Sequence, residues 1–179
     1  MPPKQTAVGK LAQAIVQLEH SAFEGGLDGP VEQMYVGLGD YVPAYQRYFL
    51  ANLWFSRPIL EAVMAGNPSA NASLRTTIAP TMLSASPKEN VLAIEAKAIV
   101  NFRIHPHDSK QVVRDHVRKV IRDPEIKIED AQSFGDEPSP FPDTSGPVWQ
   151  LVSTTVASIY PEAIVVPSLT VGATDSRHY

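Results

Sequence analysis

Between residues 6 and 20 the apolar side chains of Val8, Leu11, Ile15 and Leu18 recur at the spacing of one helical face, which predicts an amphipathic helix. Pro2 and Pro3 suit the beginning of such a helix and would be costly inside it. Residues 25–39 are rich in glycine and weakly patterned. Residues 43–64 read as one or two helices divided at Pro58. They carry Tyr45, Tyr48, Phe49, Trp54 and Phe55, with Tyr41 just before them. Aromatic rings could form a sugar or base platform, but at helical spacing they more often fill a core or a subunit contact. A helical insertion over about residues 25–70 is the expectation.

The period then falls to two. Leu74, Thr76 and Ile78 alternate with Arg75 and Thr77, and after Pro87 a second alternation runs through Ile94, Ala96, Ala98, Val100, Phe102 and Ile104. Two neighbouring strands are predicted. Asp108 or Ser109 can cap a helix bearing Val112, Val113, Val117, Val120 and Ile121, and Ile126 with Ile128 marks a further short strand. The order helix, strand, strand, helix, strand would become the split βαβ arrangement of a ferredoxin-like sandwich if one more strand preceded it. The expected fold class is therefore α+β, helices on an antiparallel sheet, over residues 1–132.

The proline-rich run at residues 138–143 reads as a linker or domain crossing. Beyond it, residues 148–160 have helical spacing, residues 164–166 the look of a buried strand, and Gly172 opens a loop. Residues 133–179 are thus expected to be part of an α/β domain too short to stand alone.

Composition narrows the function classes. The chain has 179 residues, of which 44% are hydrophobic, enough to bury an ordinary core. A net charge of −4 provides no basic field for a phosphate backbone, so nucleic acid is not an expected partner. Cysteine is absent, which removes thiolate metal cages and thiol nucleophiles and leaves the compartment open. The N-terminal residues lack the order of a signal peptide, and no run approaches the roughly 20 apolar residues of a membrane span, so no membrane partner is expected.

Candidate chemistry is sparse. His105-Pro106-His107, with His116 nearby, could place two imidazoles on one strand face, but the proline and the following helix interrupt that face and no third ligand stands at characteristic spacing. No serine lies in a Gly-x-Ser-x-Gly elbow, and no glycine-rich phosphate loop is present. What remains are polar and charged groups at strand ends and loops. Arg103, if it points off the core, presents a planar fork able to hold a carboxylate through two hydrogen bonds. Asn90, placed at the head of the same strand, offers an amide donor. Asp175 and Arg177 are spaced like residues of a loop at a strand's carboxyl end, where α/β sheets bind ligands. The plainer readings are a surface arginine, a turn asparagine and a local salt bridge.

Several segments together resemble the di-zinc exopeptidases and amidohydrolases that include carboxypeptidase S, aminoacylase and succinyl-diaminopimelate desuccinylase. Met1-Pro2-Pro3 with Thr6-Ala7-Val8-Gly9 is similar to the region following that family's Gly-Gly-His-Ser-Ser element. Arg75-Thr76-Thr77 with Thr81, Asn90-Val91-Leu92, the run Val100-Asn101-Phe102-Arg103-Ile104-His105-Pro106, and Thr174-Asp175-Ser176-Arg177 resemble further family motifs, the last two most closely those of the carboxypeptidase S and N-acyl-amino-acid hydrolase branch. Ala93 stands where the family has proline, Ser84-Ala85-Ser86-Pro87 replaces a glycine-containing turn, and His178-Tyr179 occupies the place of paired aromatics.

The resemblance implies a catalytic domain holding two zinc ions and an inserted α+β lid domain that forms a homodimer. By that analogy residues 1–132 are the lid, with its helical insertion, and residues 133–179 are part of the catalytic domain. Asn90 and Arg103 would contact a peptide or N-acyl amino acid substrate, Arg103 through its carboxylate. Thr174, Asp175 and Arg177 would line the metal cleft. The family's zinc ligands and catalytic base have no counterpart in these residues, so no catalytic residue, metal ligand or bound cofactor is expected within the chain, which should be inactive alone. The alternative is a free-standing ferredoxin-like dimerisation or ligand-binding module without catalysis.

Overall fold

A computed structural model describes residues 3–131 and 135–172. The chain resolves into two compact units, each assembled from two stretches of sequence: Met1–Glu24 with Thr76–Pro138, and Gly25–Arg75 with Ser139–Tyr179. The first contains both described strands and is α+β.

In the first unit, helix α1 (Ala7–Glu19) begins at Thr6, whose hydroxyl accepts from the Gly9 N–H, and it buries Ala14 and Leu18. Strands β1 (Thr77–Ser84) and β2 (Lys97–Arg103) form an antiparallel pair in which Thr77 faces Arg103 and Ser84 faces Lys97. The register shifts between Pro80 and Met82, so Thr81 is the extra residue of a bulge. Proline lacks the donor that a regular ladder needs, which fits its place beside this irregularity. Helix α6 (Lys110–Ile121) starts at Ser109, whose hydroxyl accepts from the Val112 N–H, and it buries Val113 and Val117. Asp108 is therefore not the cap.

Ala98, Val100 and Phe102 turn inward along β2 while Lys97, Ile99, Asn101 and Arg103 stay exposed. The inner face meets the helices in a core of Leu18, Phe23, Val113 and Val117, with Ile78, Val100, Phe102, Ile104 and Ile128 packed around it. Phe23 meets Phe102 edge to face at 6.2 Å and stacks on His116 at 4.0 Å. His116 Nε2 lies 2.8 Å from the Ser21 carbonyl, which assigns its proton to that nitrogen.

The strand predicted at Ile126 and Ile128 does not form. The Asp123 carboxylate accepts from the Glu125 N–H at 2.9 Å and the Asp123 carbonyl accepts from the Ile126 N–H at 3.1 Å, so this backbone is committed to a turn. Ile128 nevertheless serves the core.

The second unit contains α2 (Gly29–Gly37), a 3₁₀ turn at Gly39–Tyr41, α3 (Ala44–Ala51), α4 (Leu53–Ala65), α5 (Pro68–Ala72) and α7 (Pro147–Ile159). Helix α2 occupies the glycine-rich, weakly patterned stretch. Gly29 has φ of +50°, and an added Cβ there would lie 2.8 Å from the Phe141 ring, so the residue that blurred the helical pattern is required by the fold. Leu27, Val31, Leu53, Met64 and Leu74 form the core, joined by Tyr35, Leu60, Ala70 and Leu169.

A polar clamp reinforces that core. Arg57 donates to the Leu27 carbonyl at 2.5 Å and to Glu32 at 2.9 Å, while Glu61, one turn along α4, accepts from the Leu27 N–H at 2.7 Å. Both peptide groups of a fully buried residue are thus satisfied by charged side chains of one helix.

Two expectations fail in this unit and a third holds only in part. The helix break falls at Asn52, not Pro58, which lies inside α4. At the corner, Asn52 donates to the Tyr48 carbonyl at 2.8 Å, and the Ser56 hydroxyl donates toward the Phe49 carbonyl at 2.5 Å, so carbonyls freed by the break are paired. Most of the aromatic side chains are not core, which leaves the subunit-contact half of that expectation open: Tyr45 on α3, a helix that buries no residue, is 66% exposed, and Trp54 on α4 is 86% exposed. Residues 164–166 form no strand either; Val166 packs at Gly37 of α2, which accounts for its apolar character.

Among the described residues no helix is long and apolar enough to cross a membrane.

Candidate functional site

The outer face of the β1–β2 hairpin gathers polar side chains. Asn101 donates its amide to the Thr81 hydroxyl at 2.8 Å, and that hydroxyl lies 3.4 Å from the Ile99 carbonyl. The bulge at Thr81 allows this, since the extra residue swings its side chain across to the neighbouring strand. Arg103, the last residue of β2, shares this exposed face, as alternation required.

Just past Arg103 lies a buried polar knot. Thr76, 1% exposed, accepts from the His105 N–H at 2.9 Å and donates to the Asp108 carboxylate at 2.5 Å. The Asp108 N–H donates to the His105 carbonyl at 2.8 Å, closing the turn that carries Pro106 and His107. His105 is buried at 3% exposure, whereas His107 is exposed, its ring centroid 4.0 Å from that of His105. His107 Nε2 lies 3.9 Å from Asp108. Thr76 and Asp108 escaped sequence reasoning because neither belongs to a metal or nucleophile pattern. Their signal is only that a polar residue holds an inward position of a strand's first turn of alternation, which demands a hydrogen-bonding partner.

Asn90 lies in a turn of the β1–β2 connection, not at the head of β2, which begins only at Lys97. That connection leaves the hairpin at the Ser84–Lys97 end, whereas Arg103 closes the opposite end. Seven residues of strand put about 20 Å between those ends. Both residues are exposed. Thr174, Asp175 and Arg177 lie outside the described residues.

Behind the hairpin, Arg114 of α6 reaches the Asp130 carboxylate with two nitrogens, Nε to Oδ1 at 3.0 Å. The Arg114 hydrogen bond holds the Asp130 carboxyl below its ordinary value of 3.8. A lowered pKa means the pair stabilises the fold above the ordinary carboxylate range and loses that contribution as pH falls through the folded value. Asp130→Asn should therefore make the urea midpoint less sensitive to acid below about pH 4. The effect will be small for so exposed a pair, and a wild-type acid limb identical to the variant's would dismiss it.

Two helices on one face of an antiparallel hairpin, with polar groups and a terminal arginine on the other, define an α+β module. Residues 3–129 match the family model described as peptidase dimerisation domain. The chain belongs to that family, and with it to the M20 peptidases. It is 34% identical over 179 residues to the probable carboxypeptidase S-like 2 of Dictyostelium discoideum, covering 100% of this chain and 34% of that protein. The N-fatty-acyl-amino acid synthase/hydrolase PM20D1 of Bos taurus is 36% identical, with 99% of this chain and 36% of the relative covered. For PM20D1 of Homo sapiens the identity is 34%, again with 99% of this chain and 36% of the relative covered. The chain spans about a third of the length of these curated relatives. No solved structure matches it significantly.

Proposed function

We propose that the chain is the dimerisation-domain segment of a metal-dependent hydrolase that cleaves the amide bond of C-terminal or N-acylated amino acids. Residues 1–132 act as its lid, and residues 133–179 as part of the catalytic domain. Support comes from the family membership, from relatives named as carboxypeptidase-like proteins and N-fatty-acyl-amino acid synthase/hydrolases, and above all from Arg103 on the open face of the hairpin. An arginine at the exposed end of a strand carries a planar fork whose geometry matches a carboxylate through two parallel hydrogen bonds. Asn90 serves as a separate lid contact, and Thr174, Asp175 and Arg177 line the metal cleft. The molecule pairs with a second copy through the lid.

Two zinc ions are the cofactor of the complete enzyme in this reading. They call for about three protein ligands each, more than the His105 and His107 pair of the first unit can supply. The chain's own residues bind and orient substrate and exclude water. Purified 1–179 chain is accordingly expected neither to cleave amides nor to retain stoichiometric zinc.

Arg103→Ala in the full-length enzyme should raise KM for an N-acyl amino acid by one to two orders of magnitude, because a lost charge-assisted contact costs about 1.5–3 kcal/mol. Steady-state kinetics with the substrate and its amide analogue, which lacks the carboxylate, provide the check. An unchanged KM would move Arg103 to a structural role.

A further inference from the structure

The hydrogen-bonded ladder of the hairpin ends at Thr77 and Arg103, and the backbone that follows Arg103 is held by a side chain instead. The His105 N–H, which would seek a carbonyl if the ladder continued, donates to the Thr76 hydroxyl at 2.9 Å. A hydroxyl has one proton and two lone pairs. Its proton goes to the Asp108 carboxylate, so its oxygen is left to accept, and the chain of bonds from His105 N–H through Thr76 to Asp108 runs in a single direction. Each bond polarises the next, and the ionised end makes the sequence stronger than its neutral parts. Thr76 is 1% exposed and His105 3% exposed, so water does not compete. The β-branch of threonine restricts χ1 and thereby fixes where the hydroxyl sits.

We infer that Thr76 and Asp108 are positioning residues that hold the end of β2 in register so that Arg103 presents its guanidinium in one place. The inference rests on the reading of Arg103 as a carboxylate-binding residue. Thr77, next to Thr76, pairs with Arg103 in the ladder, His105 lies two residues on, and the Asp108 turn leads into α6. With the knot intact, the last residue of the strand cannot fray. With it broken, the buried His105 N–H loses its acceptor and the strand end is free to shift, so the guanidinium spends less time where a carboxylate can use both donors.

The test uses the full-length enzyme with an N-acyl amino acid substrate. Thr76→Val keeps the shape but removes the hydroxyl, and Asp108→Ala removes the terminal acceptor. Each should raise KM about fivefold to tenfold while kcat stays within about twofold, the signature of lost binding that is equal in ground and transition states. Thr76→Ser should restore KM, because it restores the oxygen. In an Arg103→Ala background, Thr76→Val should add nothing, since the group it positions is gone. Val117→Ala, a core change in the same unit, serves as the stability control and should leave KM alone even where it lowers the melting temperature.

If Thr76→Val leaves KM unchanged while Arg103→Ala raises it, the positioning role is wrong and the role of Arg103 stands. A Thr76→Val effect that multiplies in full on top of Arg103→Ala, or that Val117→Ala reproduces, likewise overturns the inference. If Arg103→Ala itself leaves KM unchanged, the carboxylate reading fails and the inference falls with it.

Discussion

Phe23→Ala is expected to destabilise the first unit by about 3–5 kcal/mol, the cost of emptying an aromatic site that cannot collapse. Phe23 is 4% exposed and touches three kinds of neighbour at once: Leu18 of α1, Phe102 on the inner face of β2, and the stacked ring of His116 on α6. Few single side chains bridge all the layers of a unit this small. The deletion also exposes His116, whose Nε2 proton is committed to the Ser21 carbonyl, so that hydrogen bond should loosen as well. Both tryptophans, Trp54 and Trp149, fall in the second unit, so fluorescence is blind to this change. Hydrogen exchange of the α6 amides is the appropriate measurement. Protection lowered by less than about 1 kcal/mol would show that Phe23 is not the centre of this core.

Leu27→Ala should cost the second unit about 2–5 kcal/mol. Its side chain is fully buried among Val31, Leu53, Met64 and Leu74, and its backbone is clamped by Arg57 and Glu61. The clamp determines where in that range the value falls. Because the two charged side chains grip the peptide and not the side chain, they hold the site open after truncation, and the cavity term should persist. Trp54 sits on α4 beside Leu53, so the shift of the urea midpoint can be followed by its emission. Arg57→Ala in the Leu27→Ala background tests the reason: if the clamp keeps the cavity from collapsing, the second substitution should cost less there than in the wild-type chain.

The parts legible in the sequence are those whose pattern has one physical cause. The periodicity of α1 and α6 and the alternation of β2 come directly from burial of one face against the Leu18, Phe23, Val113 and Val117 core, so reading the pattern recovered the elements. The capping hydroxyls of Thr6 and Ser109 add a local signal that needs no tertiary context. Helix α2 was illegible because Gly29 is there for a positive φ and for the Phe141 ring, requirements imposed from elsewhere in the chain. Pro58 misled because a proline ends a helix only if the carbonyl it orphans cannot be satisfied. Here Pro58 lies early in α4, five residues after its first residue, and the helix runs on through it.

Strand predictions failed for a related reason. Alternation says which side chains are apolar, but a ladder needs a second edge, and at residues 126–128 and 164–166 the backbone is turned or packed on a helix instead. At the candidate site, the exposure of Arg103 followed from its standing at alternate positions to Val100 and Phe102. The knot of Thr76, His105 and Asp108 did not, since it joins residues whose proximity depends on how β1 and the turn after β2 meet.

The pairing of α1 with α6 also has a consequence during synthesis on the ribosome. Val113 and Val117, which cover Leu18, are polymerised only after the whole of the second unit's first stretch. At roughly 5–20 residues per second, the apolar stripe of α1 waits several seconds for its cover. During that interval the apolar stripe of α1 is without its partner helix and open to non-native contacts.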